Sequence, residues 1–540
     1  MKTIFYNGKV YTGELPLAEA FVVENGTFSY AGDTAGALAL AQEEDARVDL
    51  EGRFVCAGFN DSHMHLLNYG QSLLSAKLDE HTDSLVELLD YVKAFAAEHP
   101  VQEGAWLKGR GWNQDYFSDV HRMPDRHDLD RISTEYPICL VRCCGHCLVV
   151  NSRAIKVLGI TADTPQPEGG SIGMQDGEPD GRFFDNAMGL VYEKIPSPTK
   201  EEIKDMIRTA CRALNSYGVT SSQSDDYIVF QAVPWQTVME AYKELETAGE
   251  LTVRVNEQSN FTDLDNLRAF VEAGHHTGTG SDMFRTGPLK MLGDGSLGAR
   301  TAFLSRPYAD DPSTCGFPVF DQETLDKMIG YANRHQMQVA IHAIGDGCLD
   351  MVLDAIEKAL KDCPVEDHRH GIVHCQISRA DQLQRIIDLK LHIYAQSIFL
   401  DYDNHIVEAR VGADLASTSY SWKTLLQGGV SVSNGTDCPV ELPDALKGIQ
   451  CAVTRRSVRD GFGPYLPEQA FTVQEALDSY TVRGAEASFE EDKKGRIAPG
   501  LLADFVVLGS DPFAADPDEI HRIEVCSTWL NGVCIFQKSV

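Results

Sequence analysis

Two histidines separated by one residue, His63 and His65, form the strongest chemical signal in the 540-residue sequence. They close the segment 58–65, whose first half has the character of a buried strand. Because successive side chains of a strand point to opposite faces, the two imidazoles project to the same side. Such a pair can hold one divalent metal ion, although an isolated His-x-His is more often structural.

Three further candidates stand at the ends of later strand-like segments. His342 ends the segment 339–342, His374 ends 372–374, and Asp437 follows 433–436. A single histidine at such a place is usually a hydrogen-bonded core residue. The recurrence of the same position for four histidines and one aspartate favours one shared metal site. Imidazole and carboxylate ligands suit zinc, and also iron, manganese or nickel.

Lys290 is the sixth candidate, and it lies inside the apolar strand-like segment 288–292. A charged lysine is costly to bury without a partner. One interpretation is an ion pair with Asp294. The other is carboxylation of the amine by CO₂, which would create an anionic oxygen ligand able to bridge two metal ions. The sequence leaves both interpretations open.

The elements that must position these residues indicate an α/β fold. Helix-like segments at 325–335, 348–361, 379–389 and 420–427 each precede a strand. This alternation is typical of βαβ units and a parallel sheet. Eight strands close a (β/α)₈ TIM barrel, whose active sites lie at the carboxyl ends of the strands. The predicted strands are 54–60, 219–224, 253–258, 288–292, 338–342, 370–374, 391–396 and 430–434.

Both ends of the chain are rich in short strand signals. The pairs Asn7-Gly8, Asn25-Gly26 and Asn531-Gly532 each separate two β-prone runs, which predicts three hairpins. Because chain termini often lie close together, the two ends are expected to form one composite β-sandwich domain.

The predicted domain boundaries follow from these assignments. A single connection does not need the roughly 140 residues between the first two barrel strands, so an inserted domain that covers the barrel mouth is expected after barrel strand 1. The sandwich takes 1–53 and 493–540, the barrel takes 54–75 and 201–492, and the insertion takes 76–200.

Composition and charge restrict the class of partner. The formal net charge is −33, from 47 basic and 80 acidic residues. So acidic a surface repels nucleic acid and anionic membranes, and a small-molecule substrate is expected instead. The 14 cysteines are scattered, and neither a signal-peptide core nor a long apolar run is visible, which favours the cytoplasm. A homodimer is the base-rate expectation for the assembly.

Taken together, these motifs resemble the amidohydrolase superfamily, and within it amidohydrolase family 3, also called YtcJ-like. The resemblance extends over almost the whole chain, and its combination of motifs is far more specific than any one of them. The resembling segments are 58–65, 111–113, 145–146, 150–152, 169–170, 181–186, 290–301, 342–346, 370–374, 435–440 and 499–507.

The resemblance implies a barrel with a composite β-sandwich and one or two divalent metal ions. It places a first ion on His63 and His65 with Asp437. It also implies that Asp437 takes a proton from the attacking water and passes it to the leaving nitrogen, unless it is only a structural ligand. The implied activity is hydrolysis of a C–N bond that is not a peptide bond, in an amide, formamide, N-acyl amine or cyclic amide.

A second ion is implied on His342 and His374, with carboxylated Lys290 as the bridge between the two ions. If only one ion binds, His342 is expected to join it. His374 would then be catalytic and polarise the substrate carbonyl.

Several departures from the family pattern prevent transfer of a substrate. Val373 and the segment 222–225 replace an acidic residue and a His-Asp pair, and the insertion carries its acid as Asp185. A metal-dependent isomerase, deaminase or decarboxylase therefore stays an alternative, as does a non-catalytic binding or regulatory protein. Candidates for substrate contact, with salt bridges as the alternative for the arginines, are Arg110, Trp112, Arg142 and His146.

Overall fold

A computed structural model describes residues 2–143, 146–167, 169–230 and 232–539. Gly145, part of one motif above, lies outside these residues. The chain divides into two compact units. One comprises the chain up to Asn68 and from Ala210 onward, and the other is Tyr69–Thr209. Among the described residues, no helix is both long and apolar enough to cross a membrane.

The first unit contains an eight-stranded parallel barrel, which confirms the predicted fold class. Each strand pairs with the next one along the chain. The strands are buried along almost their whole length, as expected for a parallel sheet covered on both faces. They are Phe59–Met64, Val219–Ser224, Arg254–Asn260, Phe284–Leu292, Val339–Ala343, Gly371–His374, His392–Ala395 and Val432–Asn434.

Helices follow the barrel strands, and local capping explains where several begin. Gln322–Arg334, for example, starts after Asp321, whose carboxylate accepts a hydrogen bond from the backbone N–H of Thr324. The helices of this unit that follow the second strand are Trp235–Thr247, Leu264–Glu272, Gln322–Arg334, Asp346–Asp362, Ala380–Asp388, Leu400–Asp403, Val407–Ala416, Trp422–Gln427, Ala445–Thr454, Val473–Ser479 and Val482–Ala487.

The seam between the last and first strands is closed by residues beyond the regular sheet. The backbone N–H of Asp437 donates to the carbonyl of His63 at 2.9 Å, and that of His65 donates to the carbonyl of Cys438 at 2.8 Å. Gly435 is required here, because a Cβ atom would lie 2.5 Å from the backbone nitrogen of His63. The hydrogen bonds that close the barrel therefore bring three predicted site residues together.

The first predicted strand, 54–60, is corrected to two strands. Phe54–Ala57 belongs to the sandwich and pairs with Phe505–Leu508, and the barrel strand begins only at Phe59. At Gly58 the chain passes from the sandwich to the barrel. The N–H of Gly58 donates to the backbone carbonyl of Asp504, and the N–H of Phe59 donates to the backbone carbonyl of Gly218. A side chain at Gly58 would overlap Thr220, so only glycine fits this crossing point.

Two further sheets are built from both ends of the chain and enclose a shared apolar core, which includes Phe5, Val10 and Phe505. The helix Thr34–Ala39 packs beside the first sheet. The four-stranded sheet has Lys2–Tyr6, Ala20–Glu24, Thr27–Gly32 and Ala46–Asp49. The five-stranded sheet has Lys9–Val10, Phe54–Ala57, Phe505–Leu508, Val525–Leu530 and Val533–Gln537.

Two of the three predicted hairpins are confirmed, those at Asn25-Gly26 and Asn531-Gly532. The hairpin at Asn7-Gly8 is wrong. The strand before it belongs to the four-stranded sheet and the strand after it to the five-stranded sheet. Phe5 and Val10 both lie in the apolar core that these two sheets enclose. The turn therefore carries the chain from one sheet to the other instead of folding it back on itself.

A buried ion pair links the sandwich to the barrel, and removing one partner is expected to be costly. Asp504 accepts hydrogen bonds from Nε and Nη2 of Arg254 at 2.6 and 2.9 Å, and the two side chains are 4 % and 3 % exposed. Asp504→Ala should lower the free energy of unfolding of this unit by about 3–5 kcal/mol, because the guanidinium would stay buried without its carboxylate. Urea unfolding followed by circular dichroism measures this loss.

The matched control is the exposed pair of Arg53 and Glu51. Glu51→Ala should change the same free energy by less than about 1 kcal/mol. An Asp504→Ala variant as stable as this control would contradict a structural role for the buried pair.

The second unit, Tyr69–Thr209, has its own six-stranded sheet and two apolar clusters. Its strands are Ala76–Lys77, Leu107–Trp112, Ile138–Arg142, Cys147–Val150, Gly170–Gln175 and Glu178–Asp185. The helices within it are Leu85–Glu98, Arg126–Asp130, Ser152–Leu158 and Met188–Tyr192, and Leu66–Leu73 and Lys200–Ser216 lie at its boundaries.

Candidate metal centre

The carboxyl ends of the first, sixth and eighth barrel strands bring four predicted ligands together. Nε2 of His63 and Nε2 of His65 lie 3.3 and 3.0 Å from Oδ1 of Asp437. One ligand atom each of His63, His374 and Asp437 lies within 4.8 Å of the other two, and all three residues are buried. In the described part of the chain, this is the one group of three or more such side chains that satisfies this spacing.

Each imidazole of the group is held in the form that a metal ion requires. Nδ1–H of His63 donates to Oε1 of Gln258 at 2.7 Å, and Nδ1–H of His374 donates to Oε1 of Gln396 at 2.6 Å. Nδ1–H of His65 donates to Oδ1 of Asp225. A proton on Nδ1 leaves the lone pair of Nε2 free, and such outer partners commonly orient metal-binding histidines.

The carboxylate of Asp437 supplies the observation that tests whether a cation fits. Within the described residues, its buried Oδ1 has no hydrogen bond of acceptable geometry, although two imidazole nitrogens lie close to it. An anionic oxygen facing unprotonated nitrogens is unfavourable unless positive charge lies among them. The donor set therefore fits a divalent metal ion.

The electrostatics of the group agree with this assignment. Burial raises the pKa of Asp437, but the adjacent imidazoles of His63 and His65 outweigh it and hold that pKa well below its usual range. Burial lowers the pKa of His63 and of His374. Burial also lowers the pKa of His65, but the carboxylate of Asp225 outweighs that effect and raises it to about 10. The surrounding acids thus attract positive charge to this point, which a proton or a metal ion can supply.

Lys290 is fully buried beside this group, and its partner differs from the predicted one. Nζ lies 3.1 Å from Oδ2 of Asp225, so Lys290 does form an ion pair, but its partner is Asp225 and not the Asp294 named in the ion-pair interpretation. Asp294 instead accepts hydrogen bonds from the backbone N–H groups of Phe303, Ile344 and Gly345. It orders the loop after the fourth strand, and Asp225 lies between Lys290 and His65.

His342 lies next to the group with a different orientation. Its ring packs edge-on against that of His374, with centroids 4.4 Å apart. Its Nε2, however, lies 3.1 Å from the carbonyl of Gly295 and 3.2 Å from Oδ1 of Asp294. The structure therefore brings His374 to His63 and Asp437, and the place of His342 as a ligand stays a prediction.

Three of the four candidates in the insertion have partners within their own unit. Trp112 is buried and its indole N–H donates to the carbonyl of Leu140. Arg142 pairs with Asp115, and Nδ1 of His146 lies 3.1 Å from Asp185. Arg110 is exposed on the strand Leu107–Trp112. These contacts agree with the salt-bridge interpretation for Arg142 and assign Trp112 to the core.

Three functional partners were not identified from sequence, namely Asp225, Gln258 and Gln396. All three are buried polar residues in or just after barrel strands, near their carboxyl ends. A polar residue at that position in an otherwise apolar strand is a usable signal. Its contact partner, however, lies on another strand and is set by the barrel register.

Comparison with known proteins identifies one family over nearly the whole chain. A family model described as "Amidohydrolase family" matches residues 46–536. YtcJ of Bacillus subtilis (strain 168), described as an amidohydrolase, is 34 % identical, and the match covers 100 % of both chains. An N-substituted formamide deformylase of Arthrobacter pascens is 24 % identical, and the match covers 97 % of this chain and 95 % of the relative.

A solved structure is similar over nearly the same length. The crystal structure of an uncharacterized metal-dependent hydrolase from Pyrococcus furiosus superposes with a TM-score of 0.78 at 31 % identity. The match covers 95 % of this chain and 100 % of that protein. The protein described here therefore belongs to the amidohydrolase family.

Proposed function

We propose that this protein is a metal-dependent hydrolase that cleaves a C–N bond other than a peptide bond. The observation that carries the proposal is the convergence of Nε2 of His63 and of His65 on Oδ1 of Asp437, with each Nδ1 already bonded to another residue. The names of the solved metal-dependent hydrolase and of the formamide deformylase support the same chemistry.

His63, His65 and Asp437 would hold the metal ion, with His374 beside them. A divalent ion, which we propose to be zinc, supplies an activated water nucleophile at neutral pH and a Lewis acid for the substrate carbonyl. Burial lowers the pKa of His63 and of His374, and the pKa of Asp437 is held low, so these three groups match the protonation states that such binding needs. His65, whose pKa is raised by Asp225, would release a proton from Nε2 when the ion binds. A second ion, with His342 and carboxylated Lys290, remains part of the proposal as the binuclear form of the site.

The residues of the chain then carry the proton and the charge. The carboxylate of Asp437 accepts the proton of the attacking water and delivers it to the leaving nitrogen. His374, which lies within the same group, polarises the carbonyl when it is not a ligand. Gln258, Gln396 and Asp225 hold the imidazoles in position throughout, so that little reorganisation accompanies the reaction.

Elemental analysis together with a substrate panel tests this proposal. Protein purified without chelators should contain one to two equivalents of zinc or a similar metal per chain. It should also hydrolyse at least one class among N-substituted formamides, N-acyl amines and cyclic amides, giving a carboxylate and an amine, which for a cyclic amide are the two ends of one ring-opened product. Chelation should abolish turnover, and added zinc should restore it.

The panel separates the alternatives. Release of ammonia from an amino-substituted ring would indicate a deaminase. No metal after reconstitution, with no turnover of any class, would overturn the hydrolase assignment and favour a binding protein.

A further inference from the structure

His374 adopts an unusual backbone conformation at the end of the sixth barrel strand. Its φ is +75°, and the N–H of Cys375 donates at 3.1 Å both to the carbonyl of Val373 and to that of Ala343 on the fifth strand. A hydrogen bond between the first and third of three residues defines a γ-turn, and a positive φ at the central residue marks its rarer and strained form. A non-glycine residue persists in such a conformation only where its surroundings enforce it.

Trp422 supplies a contact that enforces this turn. Its indole Nε1–H donates to the backbone carbonyl of His374 at 3.0 Å, and both residues are buried. The last residue pair between the sixth and seventh strands is Val373 with Tyr394, so the turn takes the carbonyl of His374 beyond this ladder. A buried carbonyl needs a donor, and the indole provides it.

Trp422 is itself held rigidly. Its ring packs edge-on against Tyr420 at 5.5 Å, and the guanidinium of Arg455 lies 5.9 Å from it. Arg455 is buried and donates to the carbonyl of Tyr465. The N–H of Tyr420 donates to the carbonyl of Gln376, which ties this segment to the loop that follows His374. The indole therefore has a defined place relative to the strand end.

We propose that Trp422 is a positioning residue that fixes the backbone of His374 and thereby the place of its imidazole in the metal group. Gln396 sets the tautomer of the same imidazole through Nδ1, and Phe399 stacks on its ring at 5.7 Å. Trp422 acts on the backbone carbonyl, and Gln396 and Phe399 act on the ring. This inference rests on the metal site of the proposed function.

The test removes the indole N–H and measures metal binding directly. Trp422→Phe should weaken Zn²⁺ affinity about 10–100-fold, measured by competition with a chromogenic chelator, which is the usual effect of losing an outer partner of a ligand. It should also change the visible absorption spectrum of the Co²⁺-substituted protein. The matched control is Trp529→Phe, which removes an indole N–H bond to Ser527 in the sandwich and should leave both readouts unchanged.

A second variant guards against a folding defect. Replacement of Trp422 by 3-benzothienylalanine keeps the ring size and removes only the N–H, and it should give the same weakening. Wild-type Zn²⁺ affinity and Co²⁺ spectrum in either folded variant would overturn this inference alone. A wild-type protein that takes up no Zn²⁺ would overturn the proposed function together with it.

Discussion

A His63→Ala variant is expected to lose its bound metal and at least about 10²–10³-fold of its turnover number, the range seen when one group that stabilises the transition state is removed. His63 contributes an Nε2 lone pair 3.3 Å from Oδ1 of Asp437, and its Nδ1 is bonded to Gln258. Alanine removes one metal ligand, and it also removes one of the two imidazoles that lie beside Oδ1 of Asp437. Elemental analysis and steady-state kinetics on the best substrate of the panel measure both effects.

The control for this variant is a histidine outside the metal group. His335 is exposed at the end of the helix Gln322–Arg334, and His335→Ala should retain the metal content and turnover of the wild type. A folded His63→Ala protein with full metal content and full turnover would remove the first-strand histidines from the mechanism.

Lys290→Ala is expected to have the second large effect. Lys290 is fully buried, and Nζ lies 3.1 Å from Asp225, whose other carboxylate oxygen contacts His65. Removing the lysine leaves a buried carboxylate without its cation, which typically costs about 3–5 kcal/mol. The metal-binding tautomer of His65 loses its support at the same time. We expect turnover to fall at least about 10²-fold.

Chemical rescue distinguishes the two roles of Lys290. Recovery with short carboxylates supports a carboxylated lysine, because the added anion takes the place of the carbamate. Recovery with methylammonium or ethylammonium supports an ammonium group that neutralises Asp225. Lys290→Met, which keeps much of the volume without the charge, should show the same pattern. Full activity of either variant without additives contradicts both roles.

The site could be predicted from sequence to the extent that it depends on position within a strand. His63, His374 and Asp437 were identified because barrel strands present their active sites at their carboxyl ends. Asp225, Gln258 and Gln396 were missed because their role depends on contacts between strands. The ion-pair interpretation of Lys290 named the wrong partner for the same reason, since Asp225, which directly follows the second strand, is 65 residues away in the sequence.

The sequence by itself determined the order of elements. Alternating apolar strands and amphipathic helices lead to a parallel barrel, and two of the Asn-Gly turns lead to hairpins, because both depend on local backbone preference and periodicity. The third turn, at Asn7-Gly8, shows the limit of that reasoning. Its geometry is local, but the sheets that receive its two strands are chosen by where Phe5 and Val10 can be buried.

Only the tertiary structure decided which ligand atoms meet and in which protonation state. The closing bonds between Asp437 and His63 and between His65 and Cys438 exist because the eighth strand returns to the first, and Gly435 permits that approach. The γ-turn at His374 likewise requires a donor from Trp422, 48 residues later. Metal ligation depends on distances of a few ångströms, and such distances between remote residues are set by packing and register, which a linear pattern does not contain.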